Sequence, residues 1–385
     1  MDATVRLFDE DSRLIQFEAV VLSCEPMKNG HFAVVLNQTA FFPEEGGQTC
    51  DKGTLEDREV LHVKEKDHVI YHEMAEPMYE GDTVGGLIDW EKRFSDMQQH
   101  SGEHIVSGLV HRRFGLDNVG FHLGSDYVTM DFNGVLTETR IREIELEANR
   151  AVAKNIKIVV TWPDDTALSQ MDYRSKKELE GPVRIVEIPG YDLCACCAPH
   201  VATTGEIGMI RLTHMEKYKG GVRVYMLCGF RALRDYNEKY ASVAAISALL
   251  SAKPEHVAEA AAKLHEESIA MRQKINELKQ TILADHIKTL SPVGEAHLLF
   301  DEQLDRNNLR RAWTMMTDQF EGMCAAFMGN DEDGYQYVLG GRDLDARETG
   351  KALNETLSGR GGGKPDMFQG SVKAKKAAIL DFFSA

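Results

Sequence analysis

Two clusters of metal-ligating residue types, about ninety residues apart, constrain this chain more than any other feature. The first is "HSGEH", with His100 and His104 four residues apart; the second is "YDLCACCAPHVATTGEIG", where Cys194, Cys196, Cys197 and His200 crowd together. One turn of helix is 3.6 residues, so both imidazoles of the first cluster leave one face and can reach one ion. Cys196 and His200 add a thiolate and a further nitrogen from a turn. The combined set suits Zn²⁺, at about 2.0–2.3 Å per bond. Sharing one ion would oblige the fold to bring residues 100 and 196 together. Each half alone has a bland reading: a packed or solvated helix face, and an incidental Cys–His pair. A zincin is excluded, because Glu103 directly precedes the second His instead of following the first. Cys194 and Cys197 read as bystanders, with Cys197 open as an alternate ligand because spacing does not rank adjacent cysteines.

Composition narrows the alternatives. Seven cysteines is an odd number for a disulfide scaffold, and Cys24, Cys50, Cys228 and Cys324 are scattered. Clustered cysteines in a reducing compartment are ligands or catalytic thiols more often than bridges. "MDATVRLFDEDSRLIQ" lacks the basic start and apolar core of a signal peptide, and no apolar run approaches the roughly 18 residues of a membrane span. The expectation is a soluble, cytoplasmic chain with no membrane partner. A net charge of −17 argues against indiscriminate nucleic-acid binding, since phosphate contacts need positive charge. Local cations do gather near the C-terminus, at Arg360, Lys364, Lys373, Lys375 and Lys376. A solvated tail would look the same.

At 385 residues the chain exceeds one compact core. The expected class is α+β in four segments. Residues 1–88 read as a small β-barrel: "TVRLF", "LIQFEAVVLSC", "HFAVVLN", "REVLHV" and "HVIYHEM" are short β-type runs broken by turn residues. The loop "TAFFPEEGGQTCDKG" interrupts them, and its Gly46–Gly47 pair either lets backbone N–H groups approach a ligand or merely turns the chain. Residues 89–230 read as a mixed α+β domain whose first helix carries the His pair and stops at Gly115. Residues 231–290 are helical, with apolar or small residues alternating four and three from Val257 to Ile282. That seam serves a helix packed on its own domain, a helical hairpin or a homodimer. Residues 291–385 mix strands and helices in a C-terminal α/β domain. The segment "GRGGGKP" is no P-loop, because Ser358 stands where its first Gly belongs and Pro365 follows the Lys.

Taken in order, these motifs resemble the editing domain of alanyl-tRNA synthetases and the free-standing alanyl-tRNA editing proteins, the AlaX family. "HSGEH" with "CCAPHVATTGEIG", the loop "TAFFPEEGGQTCDKG", the helix entry "DWEKRFSDMQQHSGEH", the strand "KGGVRVYMLCGFRAL" and "GRGGGKPDMFQG" carry the likeness from about residue 34 to 370. One departure stands out: the family's cysteine motif usually ends Gly-Thr-His, whereas here it ends Ala198-Pro199-His200, which is similar to threonyl-tRNA synthetases. The resemblance implies a zinc-dependent hydrolase working in trans, since no segment that could activate alanine with ATP precedes the barrel. Its substrate would be mischarged tRNA(Ala), chiefly seryl- and also glycyl-tRNA(Ala), with His100, His104, Cys196 and His200 as zinc ligands. It further implies that Thr39 contacts the serine hydroxyl with Gln48 nearby, that Gly46 and Gly47 approach the substrate, and that Arg360 and Lys364 belong to a tRNA-binding C-terminal domain. Asp51 follows the family signature without a role that the residues explain. Competing readings are a zinc-stabilised tRNA-binding module without hydrolysis, a zinc hydrolase of another ester or amide, and threonyl-type editing of seryl-tRNA(Thr).

Overall fold

The computed structural model describes residues 2–175 and 181–384. Two compact units are present, Met1–Ala245 and Ile246–Ala385. The α+β class read from the sequence holds. Among the described residues, no helix is long and apolar enough to cross a membrane.

The first unit opens with a barrel. Its strands close in the order Gln16–Pro26, Phe32–Leu36, Val69–Met74, Arg58–Lys66, Gly53–Leu55 and Thr83–Ile88, each antiparallel to its neighbour. Alternation drives this arrangement: Phe17, Ala19 and Val21 point inward on one strand, while on another a bulge after Val60 lets both Val60 and Val63 be buried. Phe8, Phe41 and Phe42 fill the middle, with Phe8 edge-on to Phe42 at 5.5 Å. The "TVRLF" segment differs from expectation. Only Val5–Arg6 is strand, and the chain then turns into a short helix, Leu7–Glu10, whose Phe8 is buried.

Helix Trp90–Phe114 follows the barrel directly. Asp89 caps it by accepting from Lys92 N at 3.1 Å, and Gly115 ends it in the left-handed region at φ 64°. Nearly every residue from Asp96 to Val110 is buried, polar ones included, because the helix runs through the middle of the unit. One side packs on the antiparallel sheet Ile210–Tyr218, Gly221–Cys228, Val128–Phe132, Asn118–Leu123. Another meets the small sheet Val159–Thr161, Ile185–Ile188, Asp192–Ala195. Helix Glu138–Lys154 packs alongside through Ile141, Ile144, Ala148 and Ala151. Gly108 makes the second approach possible, since a Cβ there would lie 2.3 Å from Tyr191 O.

The second unit starts within helix Gly229–Leu250 and continues through helix Val257–Lys288, whose last turns bury Leu283 and Ile287. Its sheet runs Pro292–Val293, Ala296–Phe300, Met323–Asn330, Gly334–Gly340, Met367–Val372, Arg360–Gly363. Helices Arg306–Gln319, Ala346–Thr356 and Lys376–Ser384 accompany it. The glycine-rich "GRGGG" segment is the edge strand of that sheet.

Candidate metal centre

Three imidazoles and one thiol converge where the helix meets the cysteine turn. The ligating atoms of His100, His104, Cys196 and His200 all lie within 4.8 Å of one another. Cys196 Sγ is 3.5 Å from His100 Nε2 and 3.4 Å from His200 Nε2. A tetrahedral ion with bonds of 2.0–2.3 Å has ligand–ligand edges of about 3.5 Å, so these spacings fit Zn²⁺ bound by three nitrogens and one sulfur.

The far side of each ring supports the same conclusion. His100 Nδ1–H donates to Gln48 Oε1 at 2.7 Å, and His200 Nδ1 lies 2.9 Å from Ser101 Oγ. His104 Nδ1 lies 2.9 Å from Asp192 Oδ2, and Arg174 holds Asp192 through Nε and NH2 at 2.7 and 2.8 Å. Each ring nitrogen turned away from the centre thus has a fixed neighbour, which orients the opposite lone pair toward a common point.

Electrostatics ranks the three cysteines. Burial would raise the Cys196 thiol, but the His100 charge and the hydrogen bonds of the surrounding imidazoles outweigh it and hold it well below its usual range. Burial raises Cys194, and burial together with the Cys196 charge raises Cys197. Cys196 is therefore the thiolate and its neighbours are neutral thiols, a distinction that spacing left open. His200 is pushed down to about 3 by burial. Burial works the same way on His104, but Asp192 and Cys196 overcome it and carry that ring up to about 9. All of Cys24, Cys50, Cys194, Cys196, Cys197, Cys228 and Cys324 are free.

A cavity of about 450 Å³ opens beside these ligands, lined by His100, His104, Cys196, Gly46, Gly47 and Phe121 among others. The barrel loop reaches it because Gly46 and Gly47 adopt φ of 62° and 85°, and because Leu123 N donates to Gly47 O at 2.7 Å. A Cβ on Gly47 would come within 2.4 Å of Phe121 O. Asp51 now has a role. It accepts from Arg93 on the metal helix at 3.0 Å and from Phe42 N at 2.6 Å, with both charged groups fully buried. The pair clamps the barrel loop to the helix that carries the histidines. Sequence reasoning missed Arg93, one of several charges in "DWEKRFSD", and Asp192, a lone charge in an ordinary-looking stretch.

Among the expected site residues, the structure brings together His100, His104, Cys196, His200, Gln48, Gly46 and Gly47. It does not bring Thr39 to the cavity. Thr39 is fully buried in the barrel, where its hydroxyl lies 2.9 Å from His72 Nε2 and accepts from Phe41 N at 3.1 Å. His72 Nδ1–H points at Val34 O, so Nε2 accepts from the threonine. Arg360 lies in the second unit, lining a groove of about 760 Å³ with Arg306 and Arg310. Lys364 follows in the tight turn closed by Met367, where its N–H donates to Met367 O at 2.9 Å.

Known proteins match this organisation. Residues 183–225, around the cysteine turn, match the family described as threonyl and alanyl tRNA synthetase second additional domain. Residues 12–92 match class II (A) tRNA synthetases, and residues 292–385 match the DHHA1 domain. The alanyl-tRNA editing protein AlaX-L of Pyrococcus horikoshii is 27% identical over 98% of this chain and 96% of its own length. The mouse alanyl-tRNA editing protein Aarsd1 is 27% identical over 97% of each. The alanine–tRNA ligase of Pyrococcus abyssi is 28% identical over 96% of this chain, which spans only 42% of that ligase. The barrel, the ligand group and the C-terminal sheet all fall within a single alignment, and along nearly its whole length the chain is a relative of the alanyl-tRNA editing proteins.

Proposed function

We propose that this chain is a trans-acting aminoacyl-tRNA hydrolase that removes serine, and also glycine, from mischarged tRNA(Ala). The observation that carries the reading is a zinc-type ligand set beside a cavity that His100, His104 and Cys196 line together with Gly46 and Gly47 of the barrel loop. The relatives' names as alanyl-tRNA editing proteins point to the same chemistry.

His100, His104, Cys196 and His200 would hold the ion. Bound there, zinc supplies a positive charge able to polarise an ester carbonyl, acidify a water or orient an amino group. The chain's own groups account for selectivity. Gln48 is 1% exposed, its Oε1 is taken by His100, and its Nε2 has no partner. A serine hydroxyl would satisfy that buried donor, whereas alanine would leave it unpaired. Leaving such a donor unsatisfied costs about 1–3 kcal/mol, added to whatever contact the smaller side chain loses in the pocket. Gln48 is as buried as Thr39 and lies just behind the cavity wall, but its contact with His100 and its unpartnered Nε2 beside Gly47 favour it for the role first expected of Thr39. In the second unit, Arg306, Arg310 and Arg360 line one groove, a cationic surface suited to phosphate contacts with the tRNA body, and Lys364 follows Arg360 in the chain just past the edge strand.

The test is deacylation of seryl-, glycyl- and alanyl-tRNA(Ala), and of seryl-tRNA(Thr), with and without chelator. Chelator-sensitive release of serine from tRNA(Ala) with alanine retained is expected. No release from any substrate would leave a binding module, and faster release from tRNA(Thr) would favour the threonyl-type reading that Ala198-Pro199-His200 suggests.

A further inference from the structure

Glu45 precedes the two glycines of the barrel loop and lines the same cavity as the metal-type ligands. The charges around it do not balance. Arg6 Nε lies 2.9 Å from Asp9, and Arg6 NH1 donates to Glu65 at 3.1 Å. Its NH2 comes only within 4.0 Å of Glu45 Oε2. Arg184 Nε lies 3.6 Å from the same Asp9, while its NH1 donates to the carbonyls of Cys196 and Ala198. Asp9, Glu45 and Glu65 thus share Arg6 and Arg184, and one negative charge is left over. The carboxylate left over is that of Glu45: its side chain is 39% exposed, no cation among the described residues comes closer than Arg6 at 4.0 Å, and the group hydrogen-bonded to it is the Cys197 thiol. Burial pushes the carboxyls of Asp9 and Glu65 up, and the Glu45 charge adds to both. Cys197, a thiol that burial keeps neutral, lies against the same carboxylate and brings no positive charge. Among the described residues lining this cavity, Glu45 is the only carboxylate.

An aminoacyl ester carries a cation close to its reacting bond: the α-ammonium is attached to the carbon next to the ester carbonyl. A carbonyl placed at the ligand group leaves that ammonium within the cavity, where a cation without a counter-charge is costly. We infer that Glu45 binds the α-ammonium of the aminoacyl group through its carboxylate and so selects free aminoacyl esters over N-blocked ones. This deepens the deacylase reading and rests on it. With the hydroxyl at Gln48 and the ammonium at Glu45, two of the three substituents on the α-carbon become fixed, so the hand of the amino acid is read as well.

The experiment uses zinc-loaded full chain and two uncleavable probes, 3′-seryl-amino-3′-deoxyadenosine and its N-acetyl derivative, titrated by calorimetry. Wild type should prefer the free amine by about ten- to hundredfold, the range of one charge-assisted hydrogen bond. Glu45→Gln, which keeps the shape, should bind the two alike, and Glu45→Asp should keep part of the preference. Zinc content and thermal transition, read on each variant, report whether the fold is intact. In parallel, kcat/KM for seryl-tRNA(Ala) should fall by a similar factor in Glu45→Gln, while N-acetylseryl-tRNA(Ala) is handled as by wild type. Equal loss of affinity for both probes would reduce Glu45 to support of the loop and overturn the inference, as would an unchanged preference or failure of wild type to bind either probe. If wild type prefers the free-amine probe yet deacylates nothing, the hydrolase reading falls while the ammonium site stands.

Discussion

Replacing Thr39 by valine removes one hydroxyl from the centre of the barrel and leaves two buried groups without partners. His72 Nε2 loses its donor at 2.9 Å, and Phe41 N–H loses its acceptor at 3.1 Å. Each orphaned group costs about 1–3 kcal/mol, giving about 2–6 kcal/mol in all. For a folding unit of this size, each kcal/mol lowers the melting temperature by about 2–4 °C, so a drop of roughly 10 °C is expected. Thr39→Ser keeps the hydroxyl and should lose only the methyl contribution, about 0.8 kcal/mol. Differential scanning fluorimetry of the zinc-loaded proteins measures the drop. Single-turnover deacylation of seryl- and alanyl-tRNA(Ala), run well below the transition, reads selectivity on the same samples. The structure predicts a large thermal loss in Thr39→Val with the serine-over-alanine ratio preserved. An unchanged melting temperature with a collapsed ratio would show that the hydroxyl faces substrate, and the assignment of selectivity to Gln48 would be wrong.

Three further outcomes follow from particular groups. Cys196→Ala should abolish stoichiometric zinc in elemental analysis while Cys197→Ala retains it; the reverse would exchange their roles. His72 is fully buried and its pKa is driven down to about 4 by that burial, so the folded state resists a proton that the unfolded chain accepts near 6.5. Its contribution is therefore complete above pH 6.5 and is lost as pH falls toward 4, by about 3 kcal/mol. Denaturant titrations at pH 7 and pH 4.5 should show that loss in wild type and a smaller one in His72→Gln, and parallel slopes would remove His72 as the cause. Reversing Lys373, Lys375 and Lys376 to Glu should weaken tRNA affinity and flatten its salt dependence in filter binding; equal affinity at low and high salt for both proteins would free these residues from any phosphate contact.

What could be read from the sequence was whatever produces a local pattern. The helix from Asp89 to Gly115 announces itself by a cap and a left-handed stop, and the His100–His104 pair by one turn of spacing. The barrel strands rich in β-branched residues were equally visible. The strand Thr83–Ile88 was not, because Gly85 and Gly86 hide its alternation; Gly86 is there to admit the Phe17 ring, which a Cβ would meet at 2.3 Å. Thr39 was misplaced for a related reason. A motif names a residue type but not the direction its side chain takes, and this hydroxyl turns into the barrel. Asp51 and Arg93 pair across 42 residues, and Asp192 meets His104 through a close approach at Gly108, so neither contact leaves a local trace.

The distance along the chain between the helix and the thiolate has a consequence during biosynthesis. Cys196 lies 96 residues after His100. At a ribosomal pace of about 5–20 residues per second, the helix emerges some 5–20 s before its sulfur ligand. Through that interval its polar middle, Gln98 to Ser107, lacks the cysteine turn and the strands Ile210–Tyr218 and Gly221–Cys228 that complete its cover. A nascent chain of this kind is exposed to holding factors and proteases for seconds, and a complete four-ligand shell cannot form until the cysteine turn has emerged.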